Sequence, residues 1–287
     1  MSDGGFNPWS LLTPEQLLAV GTNDINNPIY PWTIVTYFRT NPSVTLAILS
    51  ACLFGISGLI HAGQAWHYKT GYMWPTAVFG AFLEMVGYIV RIKARQTPLD
   101  LIPFAIQQAC ILLAPIFFAA GNYIILGRSM QVVAEDKAPM RPSLVARVFV
   151  TADIISFIIQ VAGTVVLLVW ISTHYETGTR ILMAGLIVQV VAFTGFMIIS
   201  TIFISRARSV PGKLWKLLFV EQYVSALFIL TRSVFRVYEF SQGYDSGPVH
   251  NETLMYIFDM ALMLGCIVVF HFVHPGMALR EKKKMVA

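Results

Sequence analysis

The chain has 287 residues, of which 56% are hydrophobic and 12% charged, and a formal net charge of +5. That balance departs from the roughly 25% charge of soluble domains and points to an integral membrane protein. The basic residues sit in short segments between apolar runs, with no basic domain for nucleic acid.

The first 43 residues hold prolines, asparagines and scattered acids, without a basic n-region or a leading apolar core. A cleaved signal peptide is therefore not expected, and the first apolar run serves as the insertion signal. Seven windows of about 20 residues follow, each long enough to cross a bilayer as a helix. They lie near 44–64, 73–92, 104–127, 147–170, 181–204, 216–238 and 253–273. The expected fold is an all-α membrane protein, a single bundle of seven transmembrane helices.

Basic residues set the orientation. One side carries Arg39, Arg91, Lys93, Arg95 and Arg180. The other carries Lys69, Arg128, Lys137, Arg141, Arg147, Arg206, Arg208, Lys213, Lys216, Arg280 and Lys282 to Lys284, thirteen against five. The N-terminus is expected outside and the C-terminus in the cytosol. Residues 1–43 then form an extracellular segment, 44–276 the transmembrane domain and 277–287 a basic cytosolic tail.

Cys52, Cys110 and Cys266 all fall inside spans and read as small apolar packing residues. Trp74, Trp170 and Trp215, near span ends, read as interfacial anchors. The sequon Asn251-Glu252-Thr253 lies against the last span, too close to the membrane for glycosylation to be expected.

Polar stripes cross the apolar windows. On the sixth, Glu221, Ser225, Phe228, Arg232, Arg236 and Glu239 fall within about 80° of one another at 100° per residue. A charge at mid-helix costs about 2.5–3.5 kcal/mol on insertion scales, so such a stripe faces partners inside the bundle. Glu84, Tyr88 and Arg91 share a face of the second span, and Asp153, Ser156 and Gln160 one of the fourth. Glu252, Tyr256, Asp259 and Met263 share a face of the seventh, while Gln108, Pro115 and Asn122 recur every seven residues on the third.

Depth suggests the pairing. At a rise of about 1.5 Å per residue, Arg232 lies about 7 Å and Asp259 about 6 Å to the outer side of their span centres, with Glu84 near the midplane. Arg232 is thus expected on Glu84, Asp259 or both. Asp153 lies about 8 Å the other way and has no basic residue at its depth. It is protonated, hydrogen-bonded by neutral groups, or reserved for a cationic ligand. The structural alternative for Arg91, Arg232, Arg236 and Glu239 is a buried ion-pair network that only holds helices in register.

Four segments together resemble the fungal RTA-like family: LAPIFFAAGNYIILGR at 113–128, FVTADIISFIIQVAGT at 149–164, RSVFRVYEFSQG at 232–243 and YIFDMALM through HPG at 256–276. Its members are seven-span proteins named for aminocholesterol resistance and called lipid-translocating exporters. The family positions map onto Glu84, Arg91, Pro115, Tyr123, Arg128, Asp153, Ser156, Gln160, Arg232, Arg236, Glu239, Asp259 and His274. A glycine pair common after the fourth-span glutamine is Gly163-Thr164 here. The resemblance implies residence in the plasma membrane, or alternatively endomembranes, and efflux of sphingoid bases, sterol-like or other toxic amphiphiles, conferring stress resistance.

The expected partners are membrane lipids and amphiphilic small molecules, and no cofactor is called for. Glu84, Asp153, Ser156, Gln160 and Asp259 are the candidate substrate-binding or proton-coupling residues. Alternatives are a seven-span receptor, a porphyrin or haem transporter, and an intramembrane metal hydrolase. The last would use zinc on His61, His271 and His274, and the same histidines are the candidates for haem. Proline after Ala114 is the one hint of a discontinuous helix of the transporter kind.

Overall fold

The computed structural model describes residues 12–22, 24–27, 30–31, 38, 40–169, 175–242 and 251–279. Arg39, Trp170, His174, His250, Arg280 and Lys282 to Lys284 lie outside them. Among the described residues the chain is helical, with no strand. Seven helices are long and apolar enough to cross a membrane: Val44–His67, Gly71–Gln96, Leu101–Val133, Pro142–Leu167, Glu176–Ala207, Lys213–Ser241 and Glu252–Leu279. They are numbered here as spans one to seven.

Each span outruns its apolar window. The third, with 33 residues, is about 50 Å long against a hydrocarbon thickness of about 30 Å. Its final turns expose Arg128 and Gln131 on the surface while Met130 and Val133 stay in the core. Ser43 caps the first span by accepting from the backbone N–H of Leu46, and Asn251 caps the seventh from the amides of Thr253 and Leu254. The sequon asparagine is therefore a helix cap. Ahead of the bundle, Thr13 and Gln16 form a capping box on a short helix, Pro14–Gly21.

Consecutive spans pack side by side, and the third lies at the centre, touching the second, fourth, fifth, sixth and seventh. It is the most buried, at 61% of its apolar window against 28% for the fourth. Pro115 sits within an unbroken helix there, so the third span is not the discontinuous element the proline suggested. Departures from α geometry fall elsewhere, in π-helical turns over Trp74–Val78 and Tyr256–Ala261.

Side-chain exposure divides the helices as a bilayer requires. Ile48, Leu59, Ile154, Ile158, Val191 and Ile198 project outward, where acyl chains replace water. Cys52 is on that outer surface and so does not pack within the bundle; Cys110 is half-buried and Cys266 fully buried. Trp74 is exposed as an anchor would be, but Trp215 is buried. Its indole Nε1 donates to Pro211 O at 3.0 Å and its ring meets Phe219 edge-on. That fold-back is made at Gly212, whose φ of 130° is open to glycine and strained for other residues.

The fourth and fifth spans make the tightest crossing. A Cβ at Gly163 would stand 2.4 Å from Leu182 N, and one at Gly185 would stand 2.9 Å from Ser156 O. Of the Gly163-Thr164 pair, only Gly163 makes a close approach, while Thr164 turns its hydroxyl onto Gln160 O. Gly163→Leu should therefore destabilise the purified protein by about 1–3 kcal/mol, as overpacking does. Gly63→Leu, with nothing near its Cβ, should leave the thermal midpoint unchanged. Equal midpoints for the two variants would contradict the crossing.

Candidate functional site

The polar stripe of the sixth span turns inward as its period requires: Glu221, Ser225, Arg232, Arg236 and Glu239 are all buried. Phe228, half-buried, packs where Gly265 leaves room. Arg236 donates from Nε to Asp259 Oδ1 at 3.1 Å, from Nη2 to Asp259 Oδ2, and from Nη1 to Glu239 Oε2 at 2.9 Å. Arg232 Nε stands 3.0 Å from Asp259 Oδ1. No hydrogen bond is directed along that contact, so it is an ion pair by proximity. Asp259 thereby serves two guanidinium groups from the π-helical turn of the seventh span.

Glu84 is 1% exposed and lies within electrostatic range of Arg232 and Arg236. It forms no ion pair among the described residues, and its Oε2 has no hydrogen-bond partner. Of the two expected acids, Asp259 is thus the one that holds Arg232. Arg91 lies outside that pairing altogether. It bonds Glu252 at 2.9 Å and Gln107 at 3.4 Å, and Phe38 covers its face. Glu252 also accepts from the amide of Ser43, tying the seventh span to the start of the first. A cavity of about 90 Å³ touches both pairs, bordered by Arg91, Gln107, Gln108, Arg236, Glu239 and Glu252. Among the described residues three arginines and four carboxylates meet in this buried cluster, which therefore holds no surplus positive charge.

A neutral layer comes next. Asn122 donates to Ser225 Oγ at 3.0 Å, Gln222 donates to Asn122 O at 3.1 Å, and Ser225 Oγ touches Cys266 Sγ. Third, sixth and seventh spans are stitched there without any net charge.

Asp153 sits apart from both layers, 1% exposed. The Tyr123 hydroxyl donates to its Oδ2 at 2.8 Å, and Oδ1 has no partner. No lysine or arginine pairs with it among the described residues. Its surroundings are aromatic: Phe149, one turn away on the same helix, and Phe193 and Phe196 of the fifth span, all in ring contact with Tyr123.

The polar residues expected beside Asp153 point elsewhere. Ser156 Oγ bonds the backbone O of Asp153, and Gln160 Nε2 donates to Gln189 Oε1 at 3.0 Å. Glu84, Asp153 and Asp259 are therefore three environments rather than one site: an unpaired acid beside arginines, an isolated acid, and an acid saturated by arginines. Tyr123, Phe193, Phe196 and Gln189 were not among the site residues read from the stripes. Gln189 carries a usable signal, a lone amide in an apolar window. The phenylalanines carry none, since lipid-facing helices are equally rich in them.

The histidines do not assemble. His61 Nε2 donates to Ile267 O, Ser57 Oγ meets His271 Nε2, and the rings of His61 and His271 are 4.4 Å apart. His274 instead accepts from the amide of Gly276 and stacks on Tyr68. Among the described residues no three metal-ligating side chains converge. The zinc and haem candidates His61, His271 and His274 are thus not placed as a common ligand set.

Residues 77–282 match the family described as RTA1 like protein. The chain belongs to that family. It is 28% identical to Protein RTA1 of Saccharomyces cerevisiae over 269 residues, covering 83% of this chain and 84% of the relative. It is 33% identical to Protoporphyrin uptake protein 1 of the same organism, covering 67% of this chain and 65% of that one. It is 23% identical to the Sphingoid long-chain base transporter RSB1 of that yeast, covering 100% and 82%. No solved structure matches the chain. The RTA1-like match takes in Glu84, Asp153 and Asp259 but not the first span.

Asp259 and Glu84 should respond unequally to neutralisation. Asp259→Asn removes the counter-charge of two buried guanidinium groups and should cost about 3–5 kcal/mol. Glu84→Gln breaks no ion pair and should leave stability within about 1 kcal/mol of wild type. Thermal unfolding of detergent-purified variants reads both. Equal losses would contradict the assignment of Arg232 and Arg236 to Asp259.

Proposed function

We propose that this RTA1-like protein moves a cationic single-chain amphiphile between leaflets, a sphingoid long-chain base being the type, with its ammonium at Asp153. The observation that carries the reading is the free Oδ1 of a buried carboxylate that no cation among the described residues neutralises. A charge so placed is costly in a bilayer unless an opposite charge meets it. An ammonium or a proton supplies that charge, and the two compete for the same oxygen. Phe149, Phe193 and Phe196 add ring faces that attract a desolvated cation. The likeness to a long-chain base transporter supports the substrate class.

Access follows from the packing. The fourth and fifth spans are pinned at Gly163 and Gly185, whereas a Cβ at Gly195 would keep 3.8 Å from Phe149, one turn past Asp153. Separation of these two helices at that looser end would open Asp153 to the membrane while the headgroup passes and the chain stays in lipid. Exchange of the proton for the ammonium would couple transfer to a proton gradient. A porphyrin substrate is less well served, because its carboxylates would meet a charged half where acids already outnumber arginines.

In reconstituted vesicles, wild type should speed the transfer of a fluorescent sphingoid base between leaflets. Asp153→Asn should lower that rate about tenfold or more, the worth of one charge-assisted contact. Tyr123→Phe should fall between the two. Full activity of a folded Asp153→Asn variant would place the headgroup site elsewhere.

We also propose an outside N-terminus and plasma-membrane residence, from the excess of basic residues on the far side. An impermeant thiol reagent on intact cells should label Arg180→Cys and miss Lys137→Cys. The reverse pattern would invert the bundle.

A further inference from the structure

We propose that the groove between the fifth and sixth spans, at the end remote from the N-terminal segment, binds an anionic phospholipid of the adjoining leaflet. The groove is about 570 Å³, far larger than the cavity of about 90 Å³ beside the ion pairs. Ile204, Phe219, Val220 and Val224 form its walls, and Arg208 and Lys216 belong to the same lining.

The two cations occupy the level where hydrocarbon gives way to headgroups. Arg208 follows the last residue of the fifth span, Ala207, and Lys216 lies in the first turn of the sixth. Val224 is two turns deeper, about 12 Å along the helix. An acyl chain entering between those walls brings its phosphate to the two basic side chains. Basic pockets between transmembrane helices recognise anionic lipid headgroups in this way.

Charge selects the occupant. No carboxylate lines the groove, and neither Arg208 nor Lys216 forms an ion pair among the described residues. Glu135 and Asp136, on the connection that carries Lys137, stay outside the lining, while Lys137 itself donates to Ser209 beside Arg208. A sphingoid ammonium would be repelled here, so this is a different site from Asp153 and takes a ligand of opposite sign.

The walls are built rather than incidental. The glycine turn at Gly212 and the bond from Trp215 to Pro211 O fix the connection by which the chain enters the sixth helix. Lys216 lies 5.6 Å from the Trp215 ring, and both residues line the groove.

The test is thermal unfolding of the purified full chain in neutral detergent with phosphatidylglycerol, phosphatidylcholine or inorganic phosphate added. Phosphatidylglycerol should raise the midpoint, and the other two should not. Both cations are exposed, so the Arg208→Gln/Lys216→Gln double variant should unfold at the wild-type midpoint without lipid. It should need about tenfold more phosphatidylglycerol for the same shift. Val220→Trp, which fills the groove and keeps both charges, should also lose the shift. The proposal is overturned by an equal response to phosphatidylcholine, by a response to phosphate alone, or by variants that respond like wild type. A lipid-independent dimer broken by Val220→Trp would overturn it too, since the groove would then seat a second copy. None of these outcomes bears on transport through Asp153.

Discussion

A charge placed in hydrocarbon has no water to turn to, so each one must be answered by another side chain, by a proton or by a ligand. The contact that meets this demand most completely is Asp259 with Arg236 and Arg232. Both guanidinium groups come from one stripe of the sixth span, and the acid comes from a π-helical turn of the seventh. A π turn is uncommon and often sits where a side chain must be aimed. Here it coincides with the carboxylate that keeps two buried cations compensated.

Once that contact is in place, the rest of the bundle sorts by polarity. Arg91 with Glu252 closes the same end and ties in the first span through Ser43. Asn122, Ser225 and Gln222 continue the join toward the middle without charge. First, second, third, sixth and seventh spans thereby share a polar interior. The fourth and fifth are held mainly by glycine-mediated close packing and one amide pair, Gln160 with Gln189. Asp153 belongs to this second, less cross-linked part, which is where a helix pair can separate without breaking a buried ion pair.

Much of this was legible in the sequence, because periodicity and length are properties of one helix at a time. All seven spans, and the inward turn of Glu84, Arg91, Asp153, Arg232, Arg236 and Glu239, follow from spacing alone. Partners were harder. Depth put Arg232 level with both Glu84 and Asp259, but the rotation of neighbouring helices decides which acid is in reach, and a single helix carries no record of it. For the same reason Ser156 and Gln160, on one face with Asp153, bond other groups than its carboxylate. Trp215 looked interfacial by position, and Cys52 looked like packing by residue type. A five-residue turn buried the first, and the outward face of the first span exposed the second. The zinc reading of His61, His271 and His274 met the same limit, since the rotation of their helices does not bring the three rings together.

The proposed function joins the isolated acid to a family whose members include a protein named as a long-chain base transporter. A protein that moves a positively charged amphiphile needs one buried negative group that its own cations leave free, and Asp153, its carboxylate bonded only by Tyr123 among the described residues, is the group proposed for that role. The most direct test varies the charge of the ligand at constant chain length. Binding to the purified protein should be compared by titration calorimetry for a sphingoid base and for its short-chain N-acylated, uncharged counterpart. The base should bind, the uncharged compound should bind about tenfold more weakly or worse, and the difference should vanish in Asp153→Asn. Equal binding of the two compounds by wild type would contradict a headgroup site built on charge.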